Sequence, residues 1–322
     1  DAAGLYSLAI FYANGYSNWT DEGTPVGKWQ DMIDVLEAAL KLHPKHLGLT
    51  HTYIHAVEES PHPERALAAA DALRGLKIFT PSFGHLVHMP AHIYVRTGNF
   101  QRSVESNEQT ATMPTDTLSE EFRLWHYNHV LNFLLFSYGM QGNSAMVSKT
   151  LDRKFGFYAP RYSDQRPRYW VRFKRWDDIL NAPAPAADSR PQTLVAWAFA
   201  RAMAFAVKGD AEKAAAERAK LMPDSTALWK LDDFRIQAAI DRQKGDIKAE
   251  IESLKKAVDA EDTLDYSEPP LSISPLRENL GGALLRDGQN AEAEKVFRED
   301  LRRNPGSGRS LFGLMTALEA QG

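Results

Sequence analysis

One helical hairpin, copied along the chain, constrains this 322-residue sequence more than any other feature. The clearest copy runs from Gly84 to about Pro114, and its centre reads Tyr94-Val95-Arg96-Thr97-Gly98-Asn99-Phe100. Gly98 permits the left-handed backbone that ends a first helix. Small Ser103, three residues after Phe100, lets the paired helices approach closely. Pro114 stops the second helix. The same helix–glycine–helix plan recurs at Leu194 to Val207, Gly209-Asp210 and Ala211 to Leu221. It recurs again at Phe234 to Lys244, Gly245-Asp246 and Ile247 to Val258, and at Leu276 to Leu285, Gly288 and Ala291 to Leu301. Nearer the start, Val35 to Leu40 closes a repeat before Pro44, and Thr50 to Glu59 pairs with Glu64 to Leu76 across Pro61 and Pro63. Ala2 to Ala13 reads as a helix, and Arg309 to Ala320 as a capping one. The period is roughly 34 residues. Sustained period-two alternation is absent, so no sheet is expected.

The Tyr, the turn Gly, the aromatic opening the second helix and the small residues between helices resemble the tetratricopeptide repeat. The resemblance implies an all-α, tetratricopeptide-like α-solenoid, a superhelix of helical hairpins whose first helices line a concave groove. Residues 1–160 read as N-terminal repeats and residues 192–322 as C-terminal repeats with a cap. Residues 161–191 are less regular, with Arg166-Pro-Arg-Tyr-Trp170 and Pro183-Ala-Pro-Ala186. Tyr169 to Leu180 reads there as one short helix followed by a loop. A joint between two sub-arrays and a longer loop inside one continuous solenoid both fit.

Composition narrows function mainly by exclusion. The formal net charge is -4, so no basic excess exists to neutralise nucleic-acid phosphates. No apolar run approaches the roughly 18 residues that span a bilayer. There is no cysteine, which excludes disulfides, iron–sulfur clusters and thiolate zinc sites. The chain starts at Asp1, already close to a helix, so the start reads as a processed or trimmed end. An export signal to the periplasm would lie upstream of it; without one the protein is cytoplasmic.

All ten histidines lie between His43 and His129. Random placement would put them in that window about two times in a million, before allowing for the window having been chosen afterwards. His51, His55 and Glu58 sit at i, i+4 and i+7. At about 100° per residue they span about 60° of one helix face. His85, His88 and His92, at i, i+3 and i+7, share another face, and His126 and His129 are one turn apart. Each set falls on the first helix of its hairpin, so the resemblance implies that three successive helices aim imidazoles into one groove. His43, His46 and His62 lie beside prolines and read as loop or cap residues.

Neutral imidazole is the commonest metal ligand, and facing helices are a usual place to build such sites. The candidate ligands are His51, His55, His85, His88, His92 and His129, with His126 second in line. Glu58 is a further ligand or a catalytic base. Without thiolates, imidazole and carboxylate suit zinc, copper, iron or nickel. Two clusters of about three nitrogens suit a dinuclear copper or zinc centre, whereas two histidines with Glu58 suit a mononuclear iron triad. His51-Thr-Tyr-Ile-His55 has the ligand spacing of zinc peptidases, but Thr52 stands where H-E-x-x-H needs its glutamate, which disfavours that hydrolysis.

His51-Thr-Tyr-Ile-His-Ala-Val-Glu58, Ser60-Pro-His-Pro-Glu-Arg65 and Gly84-His-Leu-Val-His-Met-Pro-Ala-His-Ile-Tyr94 resemble a bacterial group of tetratricopeptide-repeat proteins. So do Arg172-Phe-Lys-Arg-Trp-Asp-Asp-Ile-Leu180 and Phe297-Arg-Glu-Asp-Leu-Arg-Arg-Asn-Pro305, and the likeness covers most of the chain. The group carries a His-Asn-x-His-Phe-Leu pattern in its third first-helix. Here His129-Val-Leu-Asn132-Phe-Leu134 has Asn132 at the second histidine. Either His126 compensates one turn earlier or the site has one ligand fewer. The resemblance brings no reaction with it.

No G-x-S-x-G elbow, Walker loop or G-x-G-x-x-G occurs. Tyr266-Ser-Glu-Pro-Pro270 precedes a helix carrying Arg277. Such a bend connects repeats, or it brings Glu268 or Arg277 over the groove as substrate contacts. The stretch Arg161 to Arg175 reads as a solvated face with snorkelling side chains rather than an anion site. Two functions follow as expectations. One is a metal-dependent oxidoreductase or hydrolase with a histidine-lined site for a small molecule. The other is a non-catalytic scaffold holding a peptide or protein partner in the groove.

Overall fold

Most first helices are ended by a residue with positive φ, and the hydrogen bonds around that residue shape the fold. The computed structural model describes residues 2–14, 18–20, 22–76, 83–113, 119–158, 165–221 and 227–322, without the side chains at 121–124, 154–158 and 227. Pro114, Arg161 and Tyr162 lie outside the described residues.

The chain divides into two compact units, Asp1–Ser137 and Tyr138–Gly322. The first holds α1 (Ala2–Asn14), α2 (Trp29–Leu42), α3 (Leu47–Val57), a short 3-10 turn (Pro63–Ala66), α4 (Leu67–Arg74), α5 (Gly84–His88), α6 (Pro90–Arg96), α7 (Phe100–Ala111) and most of α8 (Glu120–Met140). The second holds α9 (Ser144–Tyr158), α10 (Arg166–Arg172), α11 (Trp176–Asn181), α12 (Pro191–Lys208), α13 (Ala211–Arg218), α14 (Ala227–Gln243), α15 (Ile247–Asp262), α16 (Leu276–Arg286), α17 (Asn290–Arg303) and α18 (Gly308–Glu319). Apart from one isolated bridge between Trp19 and Pro25, the described regular structure is all helical. It is a tetratricopeptide-like stack of helical hairpins. Among the described residues no helix is long and apolar enough to cross a membrane.

The turn between α6 and α7 shows how the hairpins close. Gly98 has φ 73°, the Asn99 N–H donates to the Tyr94 carbonyl at 2.7 Å and the Gly98 N–H to the Val95 carbonyl at 3.3 Å. These are the two bonds of a Schellman motif, which needs one left-handed residue. The same pair of bonds closes the turns at Gly142, Gly209, Gly245 and Gly288. In three of them the next residue also caps the second helix: Asp210 accepts from the Lys213 N–H and Asp246 from the Ala249 N–H, both at 3.0 Å, and Asn143 Oδ1 from the Met146 N–H at 3.2 Å.

The stretch read as one short helix over Tyr169–Leu180 is in fact another such hairpin. The Arg175 N–H donates to the Trp170 carbonyl at 2.9 Å and the Lys174 N–H to the Val171 carbonyl at 3.0 Å, so α10 and α11 are separate helices. Lys174 takes the left-handed position with φ 56°. A lysine there hides the turn from a reading that looks for glycine.

A second difference lies at Pro90. The face carrying His85, His88 and His92 is divided between α5 and α6, because Pro90 has no N–H to continue the helical ladder. Met89 keeps helical dihedrals, φ -48° and ψ -37°, so the face carries on across the break.

Positions one repeat apart meet in space. In the first unit a core of Trp29, Met32, Ile33, Leu36, Ile54 and Tyr94 buries the inner faces of α2, α3 and α6. The Ala56 carbonyl accepts from two indoles, Trp19 Nε1 at 3.2 Å and Trp29 Nε1 at 2.8 Å. Arg96 Nε donates to the Glu58 carbonyl at 3.0 Å. These three bonds pin the C-terminal end of α3, where Glu58 stands.

Candidate metal centre

α3, α5, α6 and α8 bring the histidines together. His46 caps α3, its ring accepting from the Leu49 N–H at 3.3 Å; with the buried face of Leu49, Tyr53, Ile54 and Val57 turned inward, His51 and His55 look across to α5. His51 Nε2 lies 3.0 Å from His85 Nε2. His51, His55 and His85 form one trio, each offering a ring nitrogen within 4.8 Å of the others. All three are half-buried.

The second trio is His88, His92 and His129. His88 is 0% and His92 2% exposed. His88 Nε2 lies 2.9 Å from His92 Nε2, and His129 Nε2 lies 3.4 Å from the same atom. Nitrogens bound to one tetrahedral ion at 2.0–2.1 Å stand about 3.3 Å apart, so both trios have ligand-like spacing. The trios adjoin, with the His55 and His92 rings 5.4 Å apart.

Glu58 ties them together. Its Oε1 lies 2.6 Å from His55 Nδ1 and its Oε2 lies 2.6 Å from His92 Nδ1. A carboxylate only accepts, so each Nδ1 carries the proton and each Nε2 is left as a lone pair. This is the outer-sphere arrangement that orients metal-binding imidazoles. Burial alone would raise the Glu58 carboxyl, but the adjacent His92 and His55 hold it well below the usual carboxylate range.

His88 is oriented from the second helix of its hairpin. Its Nδ1 lies 2.6 Å from Asn107 Oδ1. The Asn107 amide is itself fixed, since Nδ2 donates to the Ser103 carbonyl at 2.8 Å, leaving Oδ1 for His88. The Ser103 hydroxyl pairs with Ser137 at 2.9 Å, holding α7 against α8. Phe133, 1% exposed, lies under the inner trio with its ring 4.9, 4.7 and 5.0 Å from those of His88, His92 and His129. Trp125, 52% exposed, stacks on His129 at an interplanar angle of 6°.

The surroundings keep His51, His85, His88 and His129 neutral. Burial, then repulsion from His55 and His92, lowers His51 to about 3. Burial and the neighbouring histidines lower His85 to about 2 and His129 to about 3, and push His88 well below its ordinary value. Neutral imidazole is the ligating form.

Six predicted ligands thus fall into two trios, and Glu58 sits between them. His126, the second-line candidate, is 5% exposed and packs beside His85 and His88 at ring distances of 5.7 and 5.8 Å, but belongs to neither trio. His46 is a helix cap, and exposed His62 pairs with Glu64 at 3.0 Å. Arg277 makes a two-pronged pair with Asp262 at 2.8 and 2.5 Å, and Glu268 is half-buried in the loop between α15 and α16; both belong to the second unit. Asn107, Phe133 and Trp125 were not anticipated. Asn107 and Phe133 carry no spacing signal, and Trp125 is marked only by its place next to His126.

No protein family matches the chain, and no curated protein does. Fourteen solved chains match by structure. One belongs to "Structure of Naa15/Naa10 bound to HypK-THB": it is 15% identical with a TM-score of 0.30, and the match covers 99% of this chain but 38% of that one. So loose a likeness carries nothing about function.

Proposed function

We propose that the first unit is a histidine-built centre for two transition-metal ions and that the protein is a metal-dependent enzyme acting on a small molecule. One observation carries the reading. His88 and His92 both direct their Nδ1 protons outward, to Asn107 and Glu58, so that their acceptor Nε2 atoms face each other at 2.9 Å. His129 Nε2 approaches the same point. Buried lone pairs repel unless a cation lies between them. A proton bridges two of them; a metal ion serves three. The outer trio brings ring nitrogens of His51, His55 and His85 within 4.8 Å of one another.

Three nitrogens per ion suit copper, zinc or iron and leave positions open for substrate. A metal so held supplies Lewis acidity or activates water or oxygen. The half-buried outer trio is the side from which a small molecule reaches the centre. Glu58 holds the proton on Nδ1 of His55 and of His92, a positioning role beside the base or ligand role expected from spacing. A peptide-binding scaffold is the competing reading, but it gives no reason for buried acceptor nitrogens to converge.

Elemental analysis of untagged protein tests the proposal. One to two atoms of copper, zinc or iron per chain is the expected result. A metal-free, folded protein whose melting temperature does not respond to any of these ions would overturn it in favour of the scaffold.

A further inference from the structure

The two trios are built to different standards. In the inner one, His88 and His92 both have Nδ1 anchored, by Asn107 and Glu58 at 2.6 Å each. Both acceptors are buried: Asn107 is 0% and Glu58 2% exposed. Asn107 in turn leans on the Ser103 carbonyl and, through the Ser103–Ser137 hydroxyl pair, on α8, which carries His129. In the outer trio His55 is anchored by Glu58, whereas His85 Nδ1 is buried with no hydrogen-bond partner among the described residues. Outer-sphere partners of this kind are worth roughly 10–100-fold in metal affinity each.

We infer that the two sites load in order: the inner trio of His88, His92 and His129 binds its ion first and tightly, with Asn107 as its dedicated positioning residue, and the outer trio of His51, His55 and His85 binds second and exchanges its ion. This rests on the metal-centre reading above. Glu58 touches both trios, so it cannot create the difference; Asn107 touches one. The outer ion, on the half-buried side, is the one that substrate and chelator reach.

The test uses the full, untagged chain stripped by chelator and titrated with zinc against a competing fluorescent chelator. The expected curve has two steps, one equivalent each, with dissociation constants at least about tenfold apart. His129→Ala should delete the tight step and His51→Ala the weak one. Asn107→Leu should weaken the tight step by roughly 10–100-fold and leave the weak one in place. Asn107→Asp, which keeps an oxygen acceptor, should restore it. Restoration by the acidic variant separates positioning of His88 from a general loss of structure. Two equal steps, or a tight step indifferent to Asn107→Leu, overturns the ordered loading while the metal centre stands. No zinc bound by the parent chain removes the metal centre itself. The parent titration decides the ordering even if a variant fails to fold.

Discussion

His51 and His85, 34 residues apart in sequence, place their Nε2 atoms 3.0 Å from each other. The separation equals the repeat length expected of these hairpins. Glu58 and His92 meet at the same 34-residue offset, as do Ser103 and Ser137. A repeat puts equivalent helix positions side by side, so a polar residue written at one phase of several copies becomes a cluster. The histidine cluster is a by-product of periodicity.

Glu58→Gln should weaken both metal sites. Glutamine has one carbonyl oxygen, so it can anchor His55 or His92 but must turn an N–H2 toward the other. It also removes the buried negative charge that faces both rings. The expected loss is roughly 10–100-fold at each site in a competition titration. Unchanged affinities would show that the carboxylate plays no part in orienting the ligands.

The metal-free protein should be acid-labile well above the carboxylate range. His51, His85 and His129 sit at about 3, 2 and 3 in the folded state, pushed down first by burial. An imidazole in the unfolded chain titrates near 6.5. Between these values the unfolded chain binds protons that the folded chain does not, so stability falls as pH falls. Each such group adds a slope of up to about 1.4 kcal/mol per pH unit. Glu58, lowered by His92 and His55, adds loss in the same direction once pH drops below the ordinary glutamate value. Thermal melts in chelator should therefore shift steeply downward from pH about 6.5 to 4.5. His88→Phe should flatten the slope, since burial pushes His88 well below its ordinary value. A melting temperature flat across that range refutes the neutral-imidazole picture.

Much of this was readable from the chain alone. The turn glycines Gly98, Gly209, Gly245 and Gly288 mark the hairpins because a left-handed residue is needed there and glycine adopts it most cheaply. Histidines at helical spacing marked the centre, because spacing decides which side chains share a face. What stayed hidden depends on partners rather than spacing. Asn107 lies on a second helix, and only packing brings its amide to His88. Glu58 has the phase of a ligand, but its two oxygens are taken by Nδ1 atoms from α3 and α6. The division of the six ligands into trios falls between His85 and His88 on α5, and the inner trio needs the close approach of α8, which carries His129.

Lys174 tests the turn chemistry. It holds a position that glycine fills in the other Schellman turns, at φ 56°. A side chain there costs about 1–2 kcal/mol, partly offset by the greater freedom glycine has in the unfolded chain. Lys174→Gly should stabilise the second unit by about 0.5–1 kcal/mol, seen as a higher denaturant midpoint with an unchanged m-value. The opposite change, Gly245→Ala, meets no atom within 4 Å and should cost about 1 kcal/mol through its φ of 76° alone. If both substitutions leave the midpoint where it was, the left-handed turns do not limit stability.

Gly281 and Gly313 separate steric from conformational need. Neither has positive φ, yet a methyl group on either would overlap the Phe297 ring. Phe297, 2% exposed, is the bulky residue that α17 presents to α16 and α18, and the two glycines give its ring room. Overpacking of this kind costs typically about 1–3 kcal/mol, because a ring fully hemmed in has no neighbouring rotamer to move to. Gly281→Ala should therefore lower the denaturant midpoint more than Gly245→Ala does. The cause can be checked by shrinking the opposing ring: Phe297→Leu alone leaves a cavity and destabilises, but combined with Gly281→Ala it should recover stability relative to the sum of the two single losses. Additive losses in that double-mutant cycle would mean that the glycine and the ring do not share the same space, and the packing of α16 against α17 would need another explanation.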